Sequence, residues 1–145
     1  MHRSSRRPLV AATVLATLTF GTLMAPPATA RVAERAATTL SATLAPSGDP
    51  NGSGHAMVTL NRSRQKVCAT IHWTGIEEPD FAHIHKKSDG SIAVDLTGAV
   101  TGGARCTRGV SRRTITRILE RPRRYYVNVH NSTYPAGAIQ GTLHR

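Results

Sequence analysis

Residues 67–73 (VCATIHW) alternate apolar and polar side chains, and runs of this kind decide the fold class. A period of two residues is typical of a half-buried β-strand, because successive side chains point to opposite faces. Similar alternation recurs along the chain after Gly/Pro/Asn/Asp-rich turns, at 39–44, 56–60, 81–85, 92–96, 125–130 and 138–143. Seven or eight short strands in this spacing predict an all-β Greek-key sandwich or barrel.

One segment follows a different period. In residues 111–121 the apolar side chains Ile115, Ile118 and Leu119 lie at positions i, i+3 and i+4. Ser111 is a suitable N-cap and Pro122 a suitable terminator, so we predict one short helix here.

The overall composition excludes several classes of protein. The chain has 145 residues, of which 39% are hydrophobic and 4% aromatic, and it contains two cysteines. These values exclude an acidic disordered tail, a multi-span membrane protein and a cysteine-dense miniature scaffold. Nineteen Lys and Arg against eight Asp and Glu give a formal charge of +11. A single basic domain is expected.

Residues 1–30 have the features of an export signal. Three arginines precede an uncharged, mostly apolar stretch at 9–24, and a small-x-small cleavage motif occupies 28–30. The alternative is a retained membrane anchor. We therefore predict a signal peptide at 1–30, a short N-terminal segment at 31–39 and a domain at 40–145.

Removal of the signal changes the charge and the expected surroundings. Three arginines lie in the signal, so the remaining 115 residues carry +8. We expect a secreted or extracytoplasmic protein, associated with the cell envelope if its basic surface binds there. In that compartment Cys68 and Cys106 are best interpreted as one disulfide, with free thiols or metal ligands as the alternatives.

Three histidines form a candidate metal site. His83 and His85 are two residues apart in a predicted strand, so both point to the same face. His130, near the end of another predicted strand, is the candidate third ligand. Three imidazoles with an open position suit zinc or copper, which are the only cofactors we expect. The alternative is that these rings donate hydrogen bonds to loop carbonyls and hold turns in place.

The positive charge is concentrated near the predicted helix. Residues 105–124 contain eight arginines and one acid, and Arg113, Arg117 and Arg121 lie at i, i+4 and i+8. One interpretation is a solvated helix face. The other is binding to anionic envelope polymers or lipid head groups, while nucleic acid is not expected outside the cell. We expect a monomer with no spanning segment after the signal is removed.

Three blocks of sequence resemble the chordin-type (CHRD) domain. Residues 125–131 (YYVNVHN) and 134–143 (YPAGAIQGTL) resemble its closing signature, 82–85 (AHIH) its central element, and 48–54 (GDPNGSG) the turn after its first strand. The resemblance covers roughly residues 40–145. It implies an all-β extracellular module of largely unassigned function, with a cysteine pair placed as in the bacterial secreted members.

Sequence features favour a binding or structural module over an enzyme. No nucleophile-elbow motif, phosphate loop or dinucleotide fingerprint occurs in the chain. The His-x-His strand resembles that of copper-zinc superoxide dismutase, but no histidine occurs between residues 86 and 128. Dismutase activity is therefore not expected. The chain also carries Ala138 and Gln140 where CHRD domains usually have Glu and Arg.

Overall fold

The computed structural model describes residues 37–145, and the predicted signal and the first residues after it lie outside this range. In the described part the chain forms eight strands, one α-helix and two 3-10 helices. The strands are β1 (Ala37–Pro46), β2 (Ser53–Asn61), β3 (Lys66–Thr74), β4 (Phe81–Lys86), β5 (Ile92–Asp95), β6 (Cys106–Arg108), β7 (Tyr125–His130) and β8 (Ile139–Thr142). The helices are α1 (Arg112–Glu120) and the 3-10 helices Thr97–Ala99 and Pro122–Arg124. Within residues 37–145 we found no helix with the length and apolar character that crossing a membrane requires.

The strands form one antiparallel sheet in the order β5-β4-β7-β8-β1-β2-β3-β6. The two edge strands approach each other, because the Thr107 hydroxyl in β6 donates a hydrogen bond to the Asp95 carbonyl in β5. The sheet is thus a nearly closed barrel, which confirms the predicted all-β class. Curling the sheet in this way protects edges that would otherwise offer unpaired backbone groups.

The core follows the alternation of the sequence. Every second residue of the longer strands is buried inside the barrel, as Val67, Ala69 and Ile71 are in β3. Ile92 differs from this pattern, since 56% of its surface is exposed. It lies at the start of an edge strand, where the pairing of β4 with β5 shifts register between Ile84 and His85. The alternation in β5 therefore buries Val94 but not Ile92.

Helix α1 packs on the barrel through two isoleucines. Ile115 and Ile118 are fully buried, while Leu119 is half-buried. The Ser111 hydroxyl accepts a hydrogen bond from the Thr114 backbone amide, which satisfies one of the free donors of the first turn. Pro122 follows the last turn and begins a 3-10 helix. The predicted helix and its N-cap are confirmed.

The two cysteines form a disulfide between directly opposed residues. Cys68 in β3 pairs with Cys106 in β6, and the bond joins them across the sheet. Strand β6 has only three residues, so the disulfide adds a covalent link to a short ladder. The predicted bridge is confirmed, and neither sulfur is available as a metal ligand.

Removal of the disulfide tests how much β6 depends on it. We expect Cys68→Ala/Cys106→Ala to lower the free energy of unfolding by up to about 4 kcal/mol, since the bond closes a loop of about 39 residues in the unfolded chain. Urea unfolding followed by circular dichroism measures this change. Reduction of the unaltered protein is the control, and a loss below about 1 kcal/mol in both samples contradicts the prediction.

Candidate metal centre

The pairing of β4 with β7 brings three histidines together on the outer face of the barrel. His83 and His85 alternate in β4 with Ala82 and Ile84, which point into the core. On β7, His130 lies opposite Phe81 and therefore diagonal to His83. We call His83, His85 and His130 the histidine cluster. All three predicted metal ligands belong to it.

Two rings of the cluster are held by loop carbonyls. His85 Nδ1 lies 2.7 Å from the Gly90 carbonyl oxygen, and His130 Nδ1 lies 3.0 Å from that of Pro135. A carbonyl oxygen only accepts, so in each pair Nδ1 carries the hydrogen. In the neutral ring the lone pair is then on Nε2. His85 and His130 thus do hold turns in place, which was the alternative function considered for these histidines. This role uses only one nitrogen of each ring.

The third ring lies between a histidine and a carboxylate. His83 Nδ1 is 3.3 Å from His130 Nε2, and His83 Nε2 is 3.9 Å from Asp95 Oδ1. Asp95 is directly opposite His83 in the β4–β5 pair. A His83 ring that offers Nδ1 to a metal ion therefore directs its Nε2 hydrogen toward a carboxylate. That arrangement is common among metal-binding histidines.

The spacing of the ring nitrogens fits one metal ion. One ligand atom from each histidine lies within 4.8 Å of the other two. Ligand nitrogens around a tetrahedral zinc ion are about 3.3 Å apart, which is the separation of the His83 and His130 nitrogens. The widest gap in the cluster exceeds this separation by at most about 1.5 Å.

Two polar atoms on this face are buried without a hydrogen-bond partner. They are His85 Nε2 and Asn128 Oδ1, and among the described residues no other buried side-chain nitrogen or oxygen lacks one. Asn128 lies directly opposite His83 in the β4–β7 ladder. Leaving a buried acceptor unpaired costs about 1–3 kcal/mol, so their concentration on one face requires an explanation. Both atoms are hydrogen-bond acceptors, and the lone pair of an acceptor can also coordinate a cation.

Burial favours the neutral form of two of these rings, His83 and His130. Desolvation lowers the pKa of His83, and the neighbouring His130 lowers it further, against a smaller opposing effect of Asp95. Desolvation also lowers the pKa of His130. A depressed pKa leaves the imidazole neutral at neutral pH, with a lone pair on one ring nitrogen.

Asp95 is held as an anion beside the cluster. Burial acts to raise the pKa of Asp95, but hydrogen bonds from Thr97, together with the electrostatic effect of His83, outweigh it, and the pKa is lowered overall. One of these bonds runs from the Thr97 amide to Asp95 Oδ1 over 2.9 Å. The carboxylate therefore provides a fixed negative charge near His83.

The loop that follows β7 holds His130 in place, and the sequence did not indicate its contacts. Asn131 Oδ1 accepts a hydrogen bond from the Tyr134 amide, and Asn128 Nδ2 donates one to the Ala136 carbonyl. Gly137 has φ +129°, and a Cβ there would lie 2.3 Å from Asn128 Oδ1. The buried asparagines of the YVNVHN run are the only sequence signal for this arrangement.

The predicted arginine stripe is divided between two hollows. Arg117 and Arg121 line a cleft next to the turn after β4, whereas Arg113 lines a separate hollow with Arg62 and Arg112. Arg117 borders both. All three predicted residues are exposed; Arg113 and Arg117 lie on α1, and Arg121 directly follows its last residue.

The fold and the site define a class of protein: a single antiparallel β-barrel domain with a disulfide and a histidine cluster on its outer face. The model of the CHRD domain matches residues 35–143 of this chain. The chain therefore belongs to the CHRD domain family, as the resemblance in its sequence indicated. Neither the curated proteins nor the solved structures contain a significant match.

The ring tautomers provide a direct test of this geometry. In the metal-free protein at neutral pH we expect His85 and His130 to carry hydrogen on Nδ1, because each donates to a carbonyl. Long-range ¹H–¹⁵N correlation spectra of the imidazoles distinguish the tautomers, with the exposed His55 and His72 as reference rings. Hydrogen on Nε2 of His85 or His130 in these spectra is incompatible with the described contacts.

Proposed function

We propose that this CHRD domain is a metal-binding module that holds one zinc or copper ion with His83, His85 and His130. The observation that carries the proposal is the buried, unpartnered Nε2 of His85, which lies beside the other two rings. A buried lone pair without a donor is stabilised by a bound cation. The shared face with His83 and His130 completes a three-nitrogen ligand set.

The ligand types restrict the metal to a small group. Three imidazoles suit zinc or copper, whereas magnesium and calcium prefer oxygen ligands. Three protein ligands also leave a coordination position for water or for an external group. We propose a binding role rather than catalysis, since Asp95, the carboxylate facing the cluster, is positioned to orient His83 and is held by Thr97.

The partners of the ring nitrogens that would not bind the metal also support the proposal. Carbonyl groups hold the Nδ1 hydrogens of His85 and His130, and Asp95 faces the remaining nitrogen of His83. Such partners fix the ring orientation and increase the basicity of the ligand nitrogen. The partner of His83 is a carboxylate and not a loop carbonyl, so a role in fixing turns does not account for that contact.

We further propose that the module acts outside the cytoplasm. The disulfide between Cys68 and Cys106 is of a type that persists in oxidising compartments. Membership of a family of extracellular-type domains agrees with this location. The export signal at residues 1–30 remains a prediction from sequence.

Metal titration of untagged protein tests the proposal. After treatment with a chelator, we expect calorimetric titration with Zn²⁺ or Cu²⁺ to give about one ion per chain, as the cluster has one set of ligands. At a free metal concentration 100 times Kd, binding stabilises the fold by about 2.7 kcal/mol. Metal analysis after gel filtration measures the stoichiometry independently.

A matched pair of variants assigns the site. His85→Asn retains a donor for the Gly90 carbonyl but removes the Nε2 lone pair, so we expect a loss of affinity above about 100-fold, beyond what loss of an outer partner produces. His72→Ala removes an exposed histidine of β3 and is expected to leave the affinity unchanged. Absence of binding in the unaltered protein, or an equal loss in both variants, contradicts the proposal. Circular dichroism verifies that each variant is folded.

A further inference from the structure

A second concave surface lies beside the turn that follows β4. It has a volume of about 630 Å³ and is bounded by that turn, by the second half of α1 and by the 3-10 helix after it. We call it the basic cleft. Its cationic side chains are Lys86, Lys87, Arg117, Arg121 and Arg124.

The walls of the basic cleft are fixed to each other through the backbone. The Lys87 amide donates a hydrogen bond of 2.9 Å to the Arg124 carbonyl, which joins the turn to the 3-10 helix. The Gly90 amide donates to the Lys86 carbonyl and closes the turn. Residues far apart in sequence are thereby held around one cavity, so their charges face the same volume.

The positive charge of the basic cleft is only partly offset by carboxylates, namely Glu120 in its lining and Asp89 in the adjoining turn, which interacts with Lys86. Glu120 is the one carboxylate among the described residues that line it. Within residues 37–145 no Lys or Arg nitrogen lies within 4.0 Å of a side-chain carboxylate, the His83–Asp95 contact being the only pair of opposite type at that distance. Five like charges around one cavity repel each other, and an anion placed among them relieves this repulsion.

The positive surface continues beyond the basic cleft. A neighbouring hollow of about 550 Å³ shares Glu120, Arg121 and Arg124 with it and adds Arg123 and Arg145. Arg145 also donates a hydrogen bond to the Leu119 carbonyl at the end of α1. The favourable region for an anion is therefore longer than a single phosphate group, and a ligand with several linked anionic groups fits it better than an isolated ion.

We propose that the basic cleft binds a linear oligophosphate or phosphodiester chain. Arginine guanidinium groups bind phosphate oxygens in pairs, and lysines add mobile point charges. The volume lies within the range of roughly 300–1,000 Å³ found for ligand sites.

A soluble or polymeric phosphate source fits this surface better than a lipid bilayer does. Binding to a bilayer commonly combines basic residues with apolar side chains that insert between the lipids. The large exposed apolar side chains of the described region are Met57, Phe81 and Ile92, and none of them lines the basic cleft. The ligand is therefore expected to enter the cavity from solution or as part of an envelope polymer.

Titration with inorganic tripolyphosphate tests the proposal in the untagged protein. We expect binding that weakens with salt, and weaker binding of orthophosphate, because fewer charges are engaged. The variant Lys87→Gln/Arg121→Gln/Arg124→Gln removes three contacts and is expected to lower the affinity at least about tenfold. Nuclear magnetic resonance chemical-shift changes are expected at these positions during the titration of the unaltered protein.

Two controls separate the basic cleft from general surface charge and from lipid binding. Arg113→Gln removes an exposed arginine of the same helix outside the cleft, and its affinity is expected to remain within about twofold of the unaltered protein. Anionic vesicles of phosphatidylglycerol provide the lipid source, and we expect them to bind the protein only through its charge, so that tripolyphosphate abolishes any such binding. No tripolyphosphate binding, an equal loss in Arg113→Gln, or vesicle binding that tripolyphosphate cannot displace overturns the proposal.

Discussion

The antiparallel ladder between β4 and β7 is the constraint on which the candidate metal centre depends. It pairs Phe81–Lys86 with Tyr125–His130, two segments that are far apart in sequence. On its inner face the ladder contributes buried aliphatic side chains to the barrel core, and on its outer face it holds the histidine cluster. A shift of one residue in register would exchange the two faces and bury imidazoles in the core. The packing of the barrel therefore specifies the position of the histidines.

The loops that follow β4 and β7 then fix the orientation of two of these histidine rings. The carbonyls of Gly90 and Pro135 determine which nitrogen of His85 and His130 keeps a lone pair. The asparagines beside His130 hold one of these loops, and Asp95 provides the charge near His83. An imidazole in solution exchanges between tautomers and rotates freely, whereas contacts with loop carbonyls restrict the rings of His85 and His130. Part of the entropic cost of orienting these two rings is therefore met during folding.

The strands and the three histidines could be predicted from the sequence, whereas the groups that contact the histidine rings could not. Alternation identified the strands, and the spacing of His83 and His85 placed both on one face, because strand geometry is local. His130 was predicted as the candidate third ligand because it lies near the end of another predicted strand. The contributions of Asp95, Gly90 and Pro135 depend on register and on loop backbone conformation, which a single sequence does not encode in a recognisable pattern. The exposure of Ile92 could not be predicted for a similar reason. It results from an irregular pairing of the edge strand, which the alternation of apolar residues does not reveal.

The turn after β4 connects the histidine cluster with the basic cleft. Its Gly90 carbonyl accepts the His85 hydrogen, while its Lys86 and Lys87 side chains line the basic cleft. The Lys87 amide joins the same turn to Arg124. Helical periodicity in the sequence indicates only the arginines on and directly after α1, because the lysines come from a strand end about thirty residues earlier in the chain. The cation-lined cavity is thus a product of tertiary structure: the ladder that assembles the histidines also brings the lysines to the helix.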